Sequence, residues 1–457
     1  MITRTLSEIT NMIRGSYFKG ENVVIKGVSI DSRNLVENSL FIPIIGPNSN
    51  GHHFIKEGIT RGAAATLWEK GEPNYPTNIP VIFVDDTTIA LQQLAVSYRR
   101  QLKATFIGIT GSNGKTSTKD ILHSILSTSY KAQKTQGNYN NEIGVPLTLL
   151  QLKEDVQMAV IEMGMGHKGD ITFLSRIVQP NIGIITNIGN AHLSNLGSLK
   201  NIASEKMEMM IGLDSEGILF YNGDYSLLVK EAETYPHKKY TFGTGEINDM
   251  YLTSCRTFPA SIIFTNSKSS TQYYLPLIGE HQAVNSLAAI SVAKHFKMPD
   301  KWIQQGLNNV ILSSQRNEII KIGNITVISD TYKSNPESVK VAIDTLAALN
   351  VKSRKLFVMG DMLDMGIQDK ILHEQVGEYV KMANLDAVFG YGELTFHTIA
   401  KAQNQSSLNQ AIHFKEEKEL IEAIIEYTKK PCTILFKASR NLRFEKFIEL
   451  LEKRVTL

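Results

Sequence analysis

Three α/β domains joined in series are what this chain predicts, and three observations carry that reading. The first is size: 457 residues make about three domains. The second is a β-branched run, a Gly-rich turn and an amphipathic helix, in that order, over residues 104–130, the local pattern of a phosphate-binding loop. The third is regular alternation of strand and helix patterns after residue 314, which implies a doubly wound parallel sheet. The expected units are an N-terminal α/β domain at 1–98, a central P-loop domain with a parallel sheet at 99–313, and a C-terminal Rossmann-like domain at 314–457.

The elements follow from periodicity. Residues 1–15 place apolar side chains at helical spacing. Short strands are expected at 23–30, 40–43 and 80–84, then a helix at 88–100, whose apolar residues recur every three or four positions. In the central unit, 156–163 and 181–188 are continuous apolar runs closed by Gly or Asn, as in strands covered on both faces. In the last unit, strands at 325–330, 355–360, 387–391 and 433–437 alternate with helices at 338–348, 371–382, 417–429 and 442–453. Ligands of such sheets sit beyond the carboxyl ends of the strands, where Asp330, Gly360, Asp361 and Lys437 fall.

Composition narrows the function. The chain is 42% hydrophobic and 20% charged, enough apolar material to exclude global disorder. Lys and Arg number 48 against 45 Asp and Glu, a net charge of +3. That is too little for a dedicated nucleic-acid or membrane-surface binder. The two cysteines, Cys255 and Cys432, support neither a disulfide framework nor a Cys-rich metal site. The first 15 residues carry no continuous apolar core of a leader, and nowhere is there an apolar run of about 18 residues. The expectation is a cytoplasmic enzyme, monomeric, with small-molecule substrates.

The segment Gly111-Ser112-Asn113-Gly114-Lys115-Thr116 follows a strand and opens a helix. Glycines let backbone N–H groups close around phosphate oxygens, and the helix N-terminus adds its positive end. Lys115 suits the β- and γ-phosphates, Thr116 offers a hydroxyl to Mg²⁺, and Ser117 lies beside them. The spacing is shorter than the usual G-x4-G-K-[ST], with Ile109 where the first Gly would stand. Further on, Glu162 ends a strand, His192 follows the next strand, and Lys206 lies in a helix. A carboxylate and an imidazole at two strand ends suit a divalent cation near the loop. By spacing alone, a lone Glu or His is more often a surface or capping residue.

The short form T-G-S-N-G-K-T resembles the ATP-dependent Mur ligase family. So does the order that follows: E-M-G at Glu162, N-x-x-x-A-H at His192, and I-A-x-x-K-x-E at Lys206. The resemblance implies that Thr116, Glu162, His192 and Lys206 hold two Mg²⁺ ions, with Lys206 carbamylated by CO₂. A bare ammonium there would repel a cation by about 4 kcal/mol per unit charge at 4 Å and an effective dielectric of 20. The dense segment T-Q-G-N-Y-N-N-E-I-G-V-P at 135–146 is similar to the signature of the branch that adds D-alanyl-D-alanine to UDP-N-acetylmuramoyl-tripeptide. Asn and Gly suit a loop that hydrogen-bonds a polar glycopeptide.

Other matches span the chain. Asp31-Ser32-Arg33 resembles the uridine-binding element of the N-terminal domain, and Gly279-Glu280-His281 with Asn285 resembles the adenine-side segment. Arg316, Asp330, Tyr332, Asn335 and Pro336 resemble the start of the C-terminal domain. The implied roles are as follows. Gly111 to Ser117, Asn285, Arg316 and Asp330 bind ATP. Lys115, His192 and Lys206 are catalytic. Ser32, Arg33, Thr135, Asn138, Asn140, Asn141, Tyr332 and Asn335 face the nucleotide-sugar peptide or the incoming amine. Departures from the family pattern cluster at the two substrate ends: Ile45 replaces Lys, Asn50 Asp, Gln282 Asn, Lys333 Asn, and Ala438 and Asn441 two glycines. The implied activity is amide ligation of D-alanyl-D-alanine through an acyl phosphate, in peptidoglycan precursor synthesis. Two other readings stay open: a related ligase with another amine or donor, and a nucleotide-binding module without ligation.

Overall fold

The computed structural model describes every residue except 192, 314–315, 350, 364, 404–407 and 456–457, and of residue 367 only the backbone. Three mainly parallel sheets follow one another along the chain. The first has five strands, in the order Tyr17–Lys19, Val81–Val84, Ala63–Glu69, Ser39–Phe41, Val28–Ser29. The first pair is antiparallel and the rest parallel.

The N-terminus corrects one expectation. Thr3–Thr5 is a strand paired with Val24–Lys26, and the helix spans only Leu6–Met12. Thr5 starts that helix with a capping box, its hydroxyl accepting from the Glu8 N–H while the Glu8 carboxylate accepts from the Thr5 N–H. The strand expected over 23–30 is broken at Gly27, which sits at φ +85° where a Cβ would meet the Met1 sulfur at 2.7 Å. Its two halves join different sheets.

The central sheet has nine strands. Thr105–Thr110 lies between Met158–Glu162 and Ile182–Ile185, parallel to both. All three are buried because helices cover both faces, so their sequences are continuous apolar runs. Beyond Ile218–Asn222 and Lys238–Gly243 the sheet continues as an antiparallel meander of Met250–Phe258, Ser261–Asn266 and Ser269–Leu275.

The third sheet has six strands, in the order Glu318–Ile322, Ile325–Asp330, Cys432–Lys437, Arg354–Gly360, Ala387–Tyr391, Gln410–Phe414. Only the first pair is antiparallel. Its first helix, Pro336–Ala348, begins with Pro at the first helical position and Asn335 as cap, the arrangement in which neither a missing N–H nor a fixed φ costs anything.

The first two sheets are not separate bodies. One apolar core runs through Ile2, Leu6, Leu91, Leu94 and Tyr98 into Leu147, Leu149, Leu150 and Leu152. The helix Thr87–Arg99 packs on Gly144–Gln151, and the Tyr98 hydroxyl donates to the Leu152 carbonyl at 2.9 Å.

Candidate active site

The phosphate loop leaves the central strand Thr105–Thr110 and enters the helix Lys115–Leu126. Two glycines make its shape possible. Gly111 (φ +149°) lies so close to Thr186 that a Cβ would come within 1.9 Å of its hydroxyl. Gly114 (φ +77°) would meet the Asn285 amide oxygen at 2.5 Å. The loop is anchored from the neighbouring strand end. Asn187 accepts from the Asn113 N–H at 2.8 Å, and Thr186 and Asn187 both donate to the Asn113 carbonyl. The Ser112 hydroxyl bonds Gly189 on both its N–H and its carbonyl. Lys115, half-buried, folds back onto the carbonyls of Gly111 (2.6 Å) and Ser112 (3.3 Å), and desolvation lowers the pKa of its ammonium.

Glu162 closes the adjacent strand and is 1% exposed. Its Oε2 accepts from the Thr116 hydroxyl at 2.7 Å and its Oε1 from the Asn140 amide at 2.8 Å, while its N–H donates to Thr135. Thr116 and Glu162 thus present hard oxygens side by side, the donor type that Mg²⁺ takes. Among the described residues no cluster of three or more His, Cys, Asp and Glu forms a ready metal site; His192 lies outside them. Lys206, on the helix Leu199–Met207, is buried, and desolvation with the nearby charges of Lys115 and Lys333 holds its ammonium well below the usual lysine range. A neutral amine is the form that reacts with CO₂, so the position fits the modification.

The phosphate loop with Lys115 and Thr116, Asn140 and Glu162 line a cavity of about 820 Å³ between the central and C-terminal domains, and Lys206 is not among its lining residues. The C-terminal wall supplies Arg316, Asp330, Tyr332, Lys333 and Lys437. The Arg316 guanidinium lies 4.1 Å over the Tyr332 ring, and Asp330 pairs with the buried Lys437 at 3.0 Å. His281 is half-buried, its Nδ1 enclosed and unpartnered among the described residues and its Nε2 3.0 Å from the Asn317 amide. Burial pushes its pKa down to about 4.

The other expected site residues divide. Ser117, Asn140, Asn141, Asn285 and Tyr332 line the cavity, and the Asn141 side chain also accepts from the Gly144 N–H at the start of the helix Gly144–Gln151. Asn138 is exposed beside it. Two residues expected to face substrate are engaged elsewhere. Thr135 is buried beneath Glu162, and Asn335 is buried as a helix cap whose amide reaches Asn113. Ser32 and Arg33 belong to the first sheet's loops. Ser32 donates to Glu57 at 2.6 Å, and Arg33 pairs with Asp31 through two hydrogen bonds.

Sequence reading missed Lys119 and Asp120. Both are fully buried: Lys119 lies 3.7 Å from Glu162 and 3.6 Å from Asp120, and Asp120 accepts from Lys134 and from Ser313 in the interdomain linker. The available signal was two charges among the apolar positions of one helix.

Family models match three consecutive stretches: the Mur ligase family catalytic domain at 24–99, the Mur ligase middle domain at 109–293, and the Mur ligase glutamate ligase domain at 315–440. The chain is 38% identical over 452 residues, 98% of each chain, to the UDP-N-acetylmuramoyl-tripeptide–D-alanyl-D-alanine ligase of Bacillus subtilis. The chain belongs to the Mur ligase family. It is also 31% identical to the enzyme of the same name from Escherichia coli, over the whole of both chains. Among solved structures, this Mur ligase is similar to MurF from Acinetobacter baumannii (TM-score 0.89, 28% identity, 99% of each chain). It is also similar to the MurF ligase of Thermotoga maritima in complex with ADP (TM-score 0.81, 26% identity, 94% of this chain and 98% of that one).

Proposed function

We propose that this chain is an ATP-dependent ligase that joins D-alanyl-D-alanine to UDP-N-acetylmuramoyl-tripeptide in peptidoglycan precursor synthesis. The observation that carries this is full-length similarity to ligases of that name, in a chain whose phosphate loop and Glu162 meet in one cavity. In this reading the donor carboxylate attacks the γ-phosphoryl group in line. An O–P bond forms as the bond to ADP breaks. The amine then attacks the acyl carbon, an amide forms, and inorganic phosphate leaves.

The chain's groups have distinct tasks in that sequence. Lys115 and the loop N–H groups hold the β- and γ-phosphates and offset the charge of the transfer, since such reactions depend on positioning and electrostatics. Arg316, stacked on Tyr332, extends that positive field from the C-terminal wall. Asn285 and Gln282 border the nucleotide. Asn140 and Asn141 bring the donor loop to Glu162. Thr116 and Glu162 would hold Mg²⁺, which would supply charge neutralisation at the phosphates; Lys206 as a carbamate, with His192, would hold a second ion. The Ser32–Arg33 loop would take the uridine end. The chain acts as a monomer in the cytoplasm, and no helix among the described residues is long and apolar enough to cross a membrane.

The test is phosphate release from ATP with UDP-N-acetylmuramoyl-tripeptide, with and without D-alanyl-D-alanine, and mass analysis of the product. A pentapeptide product formed only with the dipeptide supports the reading. Phosphate without that product, or product with another amine alone, overturns it. The Lys206 role predicts that activity in CO₂-depleted buffer falls and recovers on adding bicarbonate. Bicarbonate independence, with an unmodified Lys206 by mass, would count against it.

A further inference from the structure

The C-terminal domain touches the phosphate loop through the first turn of one helix. Asn335, its cap, accepts the Ser338 N–H at 2.9 Å. The same side chain forms a reciprocal amide pair with Asn113 of the phosphate loop: Asn335 Nδ2 donates to Asn113 Oδ1 at 3.0 Å, and Asn113 Nδ2 donates back at 3.4 Å. Two residues on, Glu337 Oε1 accepts the Asn190 N–H at 3.2 Å. Asn190 follows Gly189, which the Ser112 hydroxyl bonds on both its polar groups. The first contact is therefore on Asn113 of the loop itself, and the second is on Asn190, next to the Gly189 that Ser112 holds. At Gly189 a Cβ would come 3.3 Å from the Glu337 carboxyl carbon, so the two segments approach closely there.

Neither contact buries an apolar side chain, and both are made by groups that water can satisfy when they part. That chemistry suits a joint that opens and closes in each turnover. The Asn113 backbone is already fixed by Thr186 and Asn187 of its own domain. Its side chain is the part of the loop left for another domain to hold.

We propose that Asn335 and Glu337 are positioning residues that lock the C-terminal domain onto the phosphate loop, so that the acyl phosphate meets the amine and not water. The proposal rests on the ligase reading above. Failure of the lock lets water attack the acyl carbon: the carboxylate is regenerated, inorganic phosphate leaves, and ATP is spent with no amide made.

The experiment counts phosphate released per amide formed. Asn335→Ser keeps a cap for the Ser338 N–H but is too short to reach Asn113. Glu337→Ala removes the acceptor for Asn190, and Glu337→Gln keeps one. Closure gating predicts that the ratio rises from about one to about two or more in Asn335→Ser and Glu337→Ala, with KM for the dipeptide raised several-fold and KM for ATP little changed. Glu337→Gln returns the ratio towards one, which separates the hydrogen bond from the charge. A folded Asn335→Ser with a ratio of one and an unchanged KM for the dipeptide overturns the proposal. If that variant does not fold, the same outcome in Glu337→Ala overturns it. If the wild type makes no amide from these substrates, the ligase reading fails, and the lock is then read by X-ray scattering. Nucleotide-dependent compaction of the wild type, absent in Asn335→Ser, supports it; equal compaction in both overturns it.

Discussion

The two joints of this molecule are built from opposite materials. Between the N-terminal and central domains the joint is apolar: Leu94 and Tyr98 pack into the same core as Leu149 and Leu150, with no measurable exposure. Between the central and C-terminal domains the joint is largely polar: an amide pair, a carboxylate on a backbone N–H and a cavity of about 820 Å³, with Ile278 of the central domain packed into the C-terminal core. Apolar burial stabilises by roughly 25 cal/mol per Å² and is lost when surfaces part, whereas hydrogen bonds between domains exchange with water at little net cost. The difference teaches which joint moves. The first fuses two sheets into one platform, and the second is the joint at which the proposed lock opens and closes.

The largest effect is expected at the chemical end of the polar joint. Lys115→Ala lowers substrate-dependent phosphate release about a thousandfold, and near-normal release would remove Lys115 from the mechanism. The apolar joint is broken by Leu149→Ala, which costs about 3 kcal/mol by loss of burial and a residual cavity. Calorimetry should show the N-terminal and central domains losing stability together; a shift confined to one of them would contradict a shared core.

Acid distinguishes the joints next. His281 sits against Asn317 at the polar joint and is held neutral, its pKa pushed down to about 4 from an ordinary 6.5. The unfolded chain therefore binds more protons between these values, and stability rises with pH across the window. It is present above about pH 6.5 and lost as pH falls towards 4, by up to about 3 kcal/mol. In His281→Gln this part of the acid sensitivity should disappear, and an unchanged stability–pH curve would refute it. The smallest effect on folding is at Arg33, exposed and paired with Asp31. Arg33→Ala should leave Tm where it is and raise KM for the nucleotide-sugar donor alone; an unaltered KM would take Arg33 out of the donor site.

The sequence made the buried parts of this fold legible and the edges obscure. Ile325–Asp330 and Ala387–Tyr391 span the residues expected of them, because strands covered on both faces are mostly buried and stand out as apolar-rich segments. The edge strands Glu318–Ile322 and Gln410–Phe414 show mixed exposure and carry no such run. The antiparallel meander 250–275 is written in Ser, Thr and Tyr, with alternate residues exposed. The site divides in the same way. The phosphate loop is contiguous, so its glycines and Lys115 stand out. Thr186, Asn187 and Asn335 reach it from other elements, and nothing local in their segments specifies a place that only tertiary folding creates.

The fused core of the first two domains has a consequence for size. A long molecule gripped near Ser32 and Arg33 and reacting beside Lys115 would be held across a platform that does not bend. Its reactive end arrives at the phosphate loop only if the stretch between the two grips has the right length. The apolar joint would then serve as a ruler, admitting a donor by how far it reaches as much as by which groups it carries.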